Sequence, residues 1–467
     1  MTLTLTVPPR TDADRLSGLP VAVIGAGPVG LAAAAHLLER GLPVVVYEAG
    51  PTVGTSVRAW GHTRLFSPWQ YVIDPAAQRL LEATGWEAPR ASSLPTGQDL
   101  VDTYLAPLAA TPQLAPAIQY GTRVEAVSRQ GMDRTRSTGR ADTPFLLRLH
   151  TADGVTDVTA RAVVDTSGTY TSPNPLTAAG LAPAADLGDR VVHALPDVLG
   201  ADRDRFTGKR VLVVGAGHSA ANTLIKLASL AKTAPSTEVL WAVRNAGTAR
   251  LGADAADGLA ARGQLGSTVH GLVESGQVQQ IASFEIDDVR PDGDQVTITG
   301  RRAGEAFAVT VEVIVNATGF RPDLDMLREI RLGLDDIVEA PRALAPLIDP
   351  NLHSCGSVPP HGVAELAHPE PNFFIAGMKS YGRAPTFLLL TGYEQVRSIA
   401  ADLAGDHTAA RLVELVLPET GVCSTDIGGS SCCTTPPAAT TPPAADTTCC
   451  AAPGPTPAAD SGSCCTN

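Results

Sequence analysis

Cysteine is almost missing from the body of this chain: of eight cysteines in 467 residues, only Cys355 precedes position 420. No CxxC or comparable close pair occurs there, so nothing in the body resembles a redox-active disulfide, and any thiol chemistry belongs to the C-terminal end. Aromatic side chains are scarce as well, 4% of residues against 44% hydrophobic overall. A chain that draws its apolar content from Ala, Val and Leu, and is long enough to bury a large core, fits a soluble α/β protein with two domains and a tail.

Positive charge is not in excess either. A formal net charge of −13 argues against nucleic acid or anionic membrane as the main partner, because the average surface would repel both. Long unbroken apolar runs are also lacking. Residues Val21 to Leu38 carry no formal charge, but Gly25, Gly27, Pro28 and Gly30 interrupt them where a spanning helix should be continuous, so no membrane span is expected. The N-terminal MTLTLTVPPRTDADR has no basic start or apolar run of a secretory signal, and a cytoplasmic location is the expectation.

What is present has a repeated grammar. An apolar strand (Val21 to Ile24) runs into a glycine turn, a helix of Ala and Leu ending near Gly41, and a second strand (Val44 to Tyr47) closed by Glu48. This is the opening βαβ unit of a doubly wound sheet. The order recurs from Arg210: a strand (Val211 to Val214), a turn (Gly215 to Ala220), a helix (Ala221 to Leu230) and a strand (Val239 to Val243). Between and after these units, Phe145 to Leu149, Val155 to Val164, Val296 to Ile298, Val309 to Val315 and Phe373 to Gly377 read as strands. Arg129 to Thr143 reads as a polar connection, and Thr386 to Leu403 as a helix. Beyond Gly421 the sequence is Thr, Pro, Ala, Ser, Asp and Cys with hardly a large apolar side chain, so 421–467 is expected to be disordered.

Each glycine turn suits a dinucleotide. In Gly25-Ala26-Gly27-Pro28-Val29-Gly30, Gly25 permits the tight turn, Gly27 leaves room for a pyrophosphate, and Gly30 lets helix and strand pack closely. The helix N-terminus then offers N–H groups and a positive dipole end to the phosphates. Glu48 stands where it can accept from adenosine ribose hydroxyls. The second copy, Gly215-Ala216-Gly217-His218-Ser219-Ala220, is GxGxxA, and its second strand ends in Arg244 with no acid. An arginine can bind a 2′-phosphate that an acid would repel, which favours NADP(H) over NAD(H); a solvated surface arginine explains the same residue.

These paired motifs, with the Phe206-Thr207-Gly208-Lys209-Arg210 lead-in and the segments Asp165-Thr166-Ser167-Gly168 and Asn316-Ala317-Thr318-Gly319, resemble the flavin-containing monooxygenases and their disulfide-reductase-fold relatives over about Leu19 to Gly405. The resemblance implies two Rossmann-like domains, an FAD domain with an inserted NADPH domain. The expected boundaries are 18–200 for the first part of the FAD domain, 206–322 for the NADPH domain and 323–410 for the return. It also implies that Thr166, Gly168, Thr318 and Gly319 lie where the chain crosses between domains beside the cofactors, with Gly377 on the late strand near the flavin. The chain departs from that pattern in two places. Leu187-Gly188 and His193 replace a Phe-x-Gly-x-x-x-His element, and Gly377-Met378 stands where reductases carry Gly-Asp. Residues Arg58 to Trp69 can run beside the isoalloxazine or form a loop anchored by buried tryptophans. His353, His361 and His368 lack metal-ligand spacing and read as structural.

The tail holds Cys432-Cys433, Cys449-Cys450 and Cys464-Cys465. Adjacent cysteines make only strained disulfides with each other, whereas soft thiolates select thiophilic ions such as trivalent arsenicals, antimonite, mercuric ion or copper(I). Unselected low-complexity drift explains the same residues. With the body, the tail resembles the flavoprotein monooxygenases associated with arsenic-resistance operons. That resemblance implies NADPH-dependent oxygenation of a soft heteroatom by oxygen through a flavin C4a-hydroperoxide. A dehydrogenase passing electrons to a quinone or partner protein, or a thiophilic-metal-binding flavoprotein sensor, are the alternatives. The sequence names no catalytic acid or base.

Overall fold

The computed structural model describes residues 15–245, 260–349, 358–384 and 387–415. All eight cysteines, including the six tail cysteines with expected thiophilic roles, and His353 lie outside the described residues. Strand β1 (Val21–Ile24) leads through helix α1 (Pro28–Glu39) to β2 (Val44–Tyr47), then α2 (Pro75–Glu82) and β3 (Ile118–Gln119). The three strands β4 (Arg123–Arg129), β5 (Phe145–Thr151) and β6 (Gly154–Ala160) form an antiparallel meander before β7 (Ala162–Asp165) and β8 (Val191–His193). A second set follows: β9 (Arg210–Val214), α3 (His218–Thr233), β10 (Glu238–Ala242), α4 (Ala260–Glu274) and β11 (Gln279–Ile281). The meander β12 (Phe284–Asp292), β13 (Gln295–Arg302) and β14 (Glu305–Val311) precedes β15 (Val313–Asn316), β16 (Phe373–Ile375) and helix α5 (Leu389–Leu403).

The strands assemble into two five-stranded parallel sheets of order β16-β7-β1-β2-β3 and β11-β10-β9-β15-β8. Side chains alternate across a strand, and both sheets use that period to bury two faces. Val21, Val23 and Val46 join the core under the helices, while Ala22 and Ile24 pack with Val124, Phe145 and Leu147 of the first meander. Val211, Val213 and Trp241 likewise face α3, and Leu212, Val214 and Leu240 face Phe284, Val289 and Ile298 of the second. Each buried Val or Leu contributes about 1.5–3 kcal/mol, so these two-faced sheets are the stiff platforms on which the glycine turns sit.

Four expectations are revised. Val309 to Val315 is not one strand: the chain turns at Glu312, whose carboxylate accepts from Lys209 Nζ at 2.8 Å and from the Arg210 amide at 3.0 Å, so β14 ends in the meander and β15 enters the parallel sheet. Val155 to Val164 is likewise two strands, β6 and β7. The second-copy helix begins at His218, earlier than Ala221. Strand β8, expected within the first domain, pairs with β15 in the second sheet, with Val191 opposite Ile314.

The polar connection from Arg129 to Thr143 hides a buried charge cluster. Glu370 receives Arg129 Nε at 2.8 Å and Arg140 Nε at 2.9 Å, tying β4 to the residues just before β16. Among the described residues no helix is long and apolar enough to cross a membrane.

Candidate functional site

Both glycine turns lie at the carboxyl ends of their sheets, the position where open α/β sheets bind ligands. In the first, Gly25 has φ +99° and donates its N–H to the Tyr47 carbonyl at 2.8 Å. A Cβ on Gly30 would stand 1.9 Å from the Gly25 carbonyl oxygen, so this glycine is required for α1 to approach β1. Gly27 is different. It precedes the first turn of α1 with φ −84°, and a Cβ there would meet no atom within 4 Å. The cradle therefore opens at Gly27, where the motif requires space for a ligand. No side chain caps α1 and no acid occupies its first turn, where Pro28 stands at the start, leaving the positive helix end to an anion.

Glu48 closes the cradle. Its Oε2 accepts from the Ala26 amide at 2.8 Å and its Oε1 from the Gly50 amide at 2.8 Å, which fixes the carboxylate at the tip of β2 beside the loop. Thr166 donates its hydroxyl to the Ile24 carbonyl at 2.8 Å and bonds Gly25 as well. Gly168 and Gly377 both adopt positive φ, +71° and +72°, and a Cβ on Gly377 would lie 3.3 Å from the Val29 side chain in the first turn of α1. The late-strand loop thus reaches the first cradle. The Gly377 amide donates to Gln395 Oε1 at 2.7 Å, and the buried Lys379 ammonium donates to Asp165 Oδ2 at 2.7 Å and Ser167 Oγ at 3.0 Å. A lysine two places beyond Gly377 thus locks the loop to the segment after β7.

The second cradle repeats this design with other residues. Gly215 has φ +131°, and a Cβ there would be 2.1 Å from the Ala317 carbonyl oxygen. Gly217 again faces open space, and α3 has no side-chain cap and no acid in its first turn. Ala220 is fully buried, so a methyl group is accommodated at the third motif position. Ser219 lies in the first turn of α3, where its carbonyl accepts the Thr223 hydroxyl at 2.9 Å. Arg244 is exposed just past β10, with no acid at the strand end.

The two halves are stitched together between the cradles. Asn316 Nδ2 donates to the Asn174 carbonyl at 2.8 Å, the Thr318 hydroxyl bonds the same carbonyl at 3.1 Å, and the Asn174 amide donates to the Gly319 carbonyl at 2.9 Å. Thr318 and Gly319 therefore bond to the segment around Asn174. The segment Arg58 to Trp69 spans the junction too. Trp69 is buried in the first core, while Phe66 meets His218, the first residue of α3, with ring centroids 5.3 Å apart. His62 has its pKa lowered by burial and by the Lys226 ammonium on α3, with Asp197 and Asp202 opposing.

His361 and His368, which the sequence reads as structural, have bonding partners. His361 bonds the Pro359 carbonyl and Gln395, and His368 accepts from the Gly333 amide at 3.2 Å, its pKa pushed down to about 4 by burial. Sequence reasoning gave no role to Asn174, Lys379 and Trp241, and named Asn316 only as part of the segment Asn316 to Gly319. Only Trp241 carried a usable signal, since an indole in a buried strand must find an acceptor for its N–H.

Residues 22–351 match the pyridine nucleotide-disulphide oxidoreductase family. A ferredoxin–NADP reductase of Salinispora arenicola is 30% identical over 322 residues, covering 68% of this chain and 79% of the relative. Among solved structures, a bacillithiol disulfide reductase from Bacillus cereus superposes with TM-score 0.62 at 19% identity, over 83% of this chain and 99% of its own. The desferrioxamine-pathway cadaverine monooxygenase of Erwinia amylovora does so with TM-score 0.61 at 15% identity, over 86% and 98%. These two likenesses concern the fold. By its family match and its paired cradles, the chain belongs to the pyridine nucleotide-disulphide oxidoreductase family and is an oxidoreductase that uses FAD and NADP(H).

Proposed function

We propose that the first cradle holds FAD, the second holds NADPH, and the enzyme is a monooxygenase that oxidises a soft heteroatom of a small substrate. The observation that carries this reading is a pair of anion-ready cradles on either side of one stitched junction in a chain that has no CxxC anywhere. Among the described residues no cysteine pair adjoins the cradles to take up reducing equivalents, and on this reading the acceptor is external. Glu48 would orient the adenosine ribose of FAD, the N-terminal turns of α1 and α3 the two pyrophosphates, and Arg244 the 2′-phosphate. When bound, FAD supplies a two-electron carrier that a nicotinamide can reduce and oxygen can reoxidise. The protein's task is to enclose that exchange and exclude water, which the aromatic contact of Phe66 with His218 serves at the junction.

The three Cys-Cys pairs of the tail support a thiophilic substrate, with trivalent arsenicals and antimonite the first to try. The test is aerobic NADPH oxidation by flavin-loaded protein against these, thioethers and amines. Substrate-stimulated oxygen uptake with little free peroxide supports oxygenation. The curated ferredoxin–NADP reductase relatives favour a second reading, electron delivery to an external carrier protein or quinone. Oxidation that needs such an acceptor and proceeds equally without oxygen would establish that reading instead.

A further inference from the structure

The two glycine loops satisfy the same carbonyl by different means. In the first, the Gly25 carbonyl receives the Thr166 hydroxyl at 3.3 Å, from the segment that follows β7. At the matching place of the second cradle stands Ala317, which has no hydroxyl, while Thr318 bonds Asn316 Oδ1 at 2.7 Å as Ser167 bonds Asp165 Oδ1 at 2.7 Å. The Gly215 carbonyl is served instead by the indole Nε1 of Trp241, which donates to it at 2.7 Å. Trp241 lies in β10 with 0% exposure and shares its core cluster with Val213, Ala220 and Leu224 beneath α3.

Both polar groups of Gly215 are thereby held by consecutive residues of β10, since its N–H donates to the Ala242 carbonyl at 3.1 Å. A carbonyl and the next residue's N–H belong to one planar peptide unit and point in opposite directions. Pinning the Gly215 carbonyl therefore aims the Ala216 N–H. In the first cradle the matching N–H, that of Ala26, reaches the acid at the strand end, Glu48, at 2.8 Å. In the second cradle the strand leads to Arg244 and no acid, so the aimed N–H is left to the nucleotide.

We infer that Trp241 is a positioning residue for the pyridine nucleotide: its indole N–H fixes the Gly215–Ala216 peptide and ties the pyrophosphate seat to the strand leading to Arg244. This rests on the assignment of NADPH to the second cradle. Removing the N–H strands a half-buried carbonyl, and the loop relieves it by rotating the peptide out of its binding orientation.

The test is Trp241→Phe, which keeps a ring and deletes the donor. Calorimetric titration of the oxidised holoenzyme with NADP+ should show Kd raised by roughly tenfold, the expected cost of one hydrogen bond lost at a half-buried carbonyl. KM for NADPH should rise with it, while kcat at saturation and the FAD content stay as in the wild type. An unchanged Kd in a folded, flavin-loaded Trp241→Phe protein overturns the inference. Should that variant fail to fold, the benzothiophene analogue of tryptophan placed at 241 has the same shape without the N–H and is read by the same two outcomes. A wild-type holoenzyme that binds neither NADP+ nor NADPH overturns the cofactor assignment itself, and the role of Trp241 with it.

Discussion

At the scale of single residues, the glycines of one motif separate into two kinds. Gly30 is needed by the fold, because its Cβ would collide with the Gly25 carbonyl, whereas Gly27 borders open space. Gly30→Val is therefore expected to lower the melting temperature or prevent folding. Gly27→Val should instead fold, with circular dichroism like the wild type, and purify colourless because the side chain fills the pyrophosphate seat. A yellow, fully flavinated Gly27→Val protein would count decisively against FAD in the first cradle. Arg244→Ala should cost about 1.5–3 kcal/mol of NADPH binding while leaving NADH nearly unaffected, because it removes one charge-assisted contact to the 2′-phosphate. An unchanged NADPH-to-NADH ratio makes Arg244 a plain surface arginine. These residues were legible because glycine spacing and the residue after a strand are local properties of the chain. The Trp241 bond and the Asn174–Thr318 stitch were not, since each joins positions distant in sequence.

At the scale of elements, the buried cluster on Glu370 fixes the first meander to the late strand. Glu370 lies under Arg129 and Arg140, also accepts the Arg331 amide at 3.2 Å, and Arg129 stacks 3.6 Å from the Phe145 ring centroid. Burial alone would raise the Glu370 pKa, but the bonds from Arg140 and Arg129 outweigh it and hold the carboxyl below its ordinary 4.5. A depressed folded pKa contributes stability that is present above the unfolded value and lost as pH falls through the folded one. Wild-type stability should therefore decline below about pH 4.5, and Glu370→Gln should flatten that part of the acid limb. At neutral pH the same substitution should cost about 3–5 kcal/mol in denaturant unfolding, because it leaves two guanidinium groups buried without their counter-charge. An equal midpoint for both proteins at pH 7 would make the cluster energetically idle. Alternation of apolar residues announced the strands, but not this cluster, whose arginines looked like part of a polar loop. Nor did it announce the break at Glu312, because an apolar run on either side of one acid reads as continuous.

At the scale of the whole molecule, two sheets built alike and joined through Asn174, Asn316 and Thr318 form the described body, and the cysteine pairs fall beyond it in sequence. The last described contacts before the tail are internal to this part: Arg397 bonds the Ala409 carbonyl at 3.0 Å and Glu414 at 3.4 Å. A chain cut after Gly421 keeps all of them, along with every residue of both cradles, so it should retain one FAD and bind NADPH as the complete enzyme does. If the pairs Cys432-Cys433, Cys449-Cys450 and Cys464-Cys465 collect a thiophilic substrate, their effect is one of local concentration, since a tether changes how often the substrate is near the flavin and not how it reacts there. The truncated enzyme should then turn over more slowly at low substrate and converge with the complete one at saturation, a change in KM without a change in kcat. Steady-state rates across a substrate series decide the matter: equal rates at every concentration would detach the cysteines from catalysis, and a lower rate at saturation would place the tail in the chemical step itself.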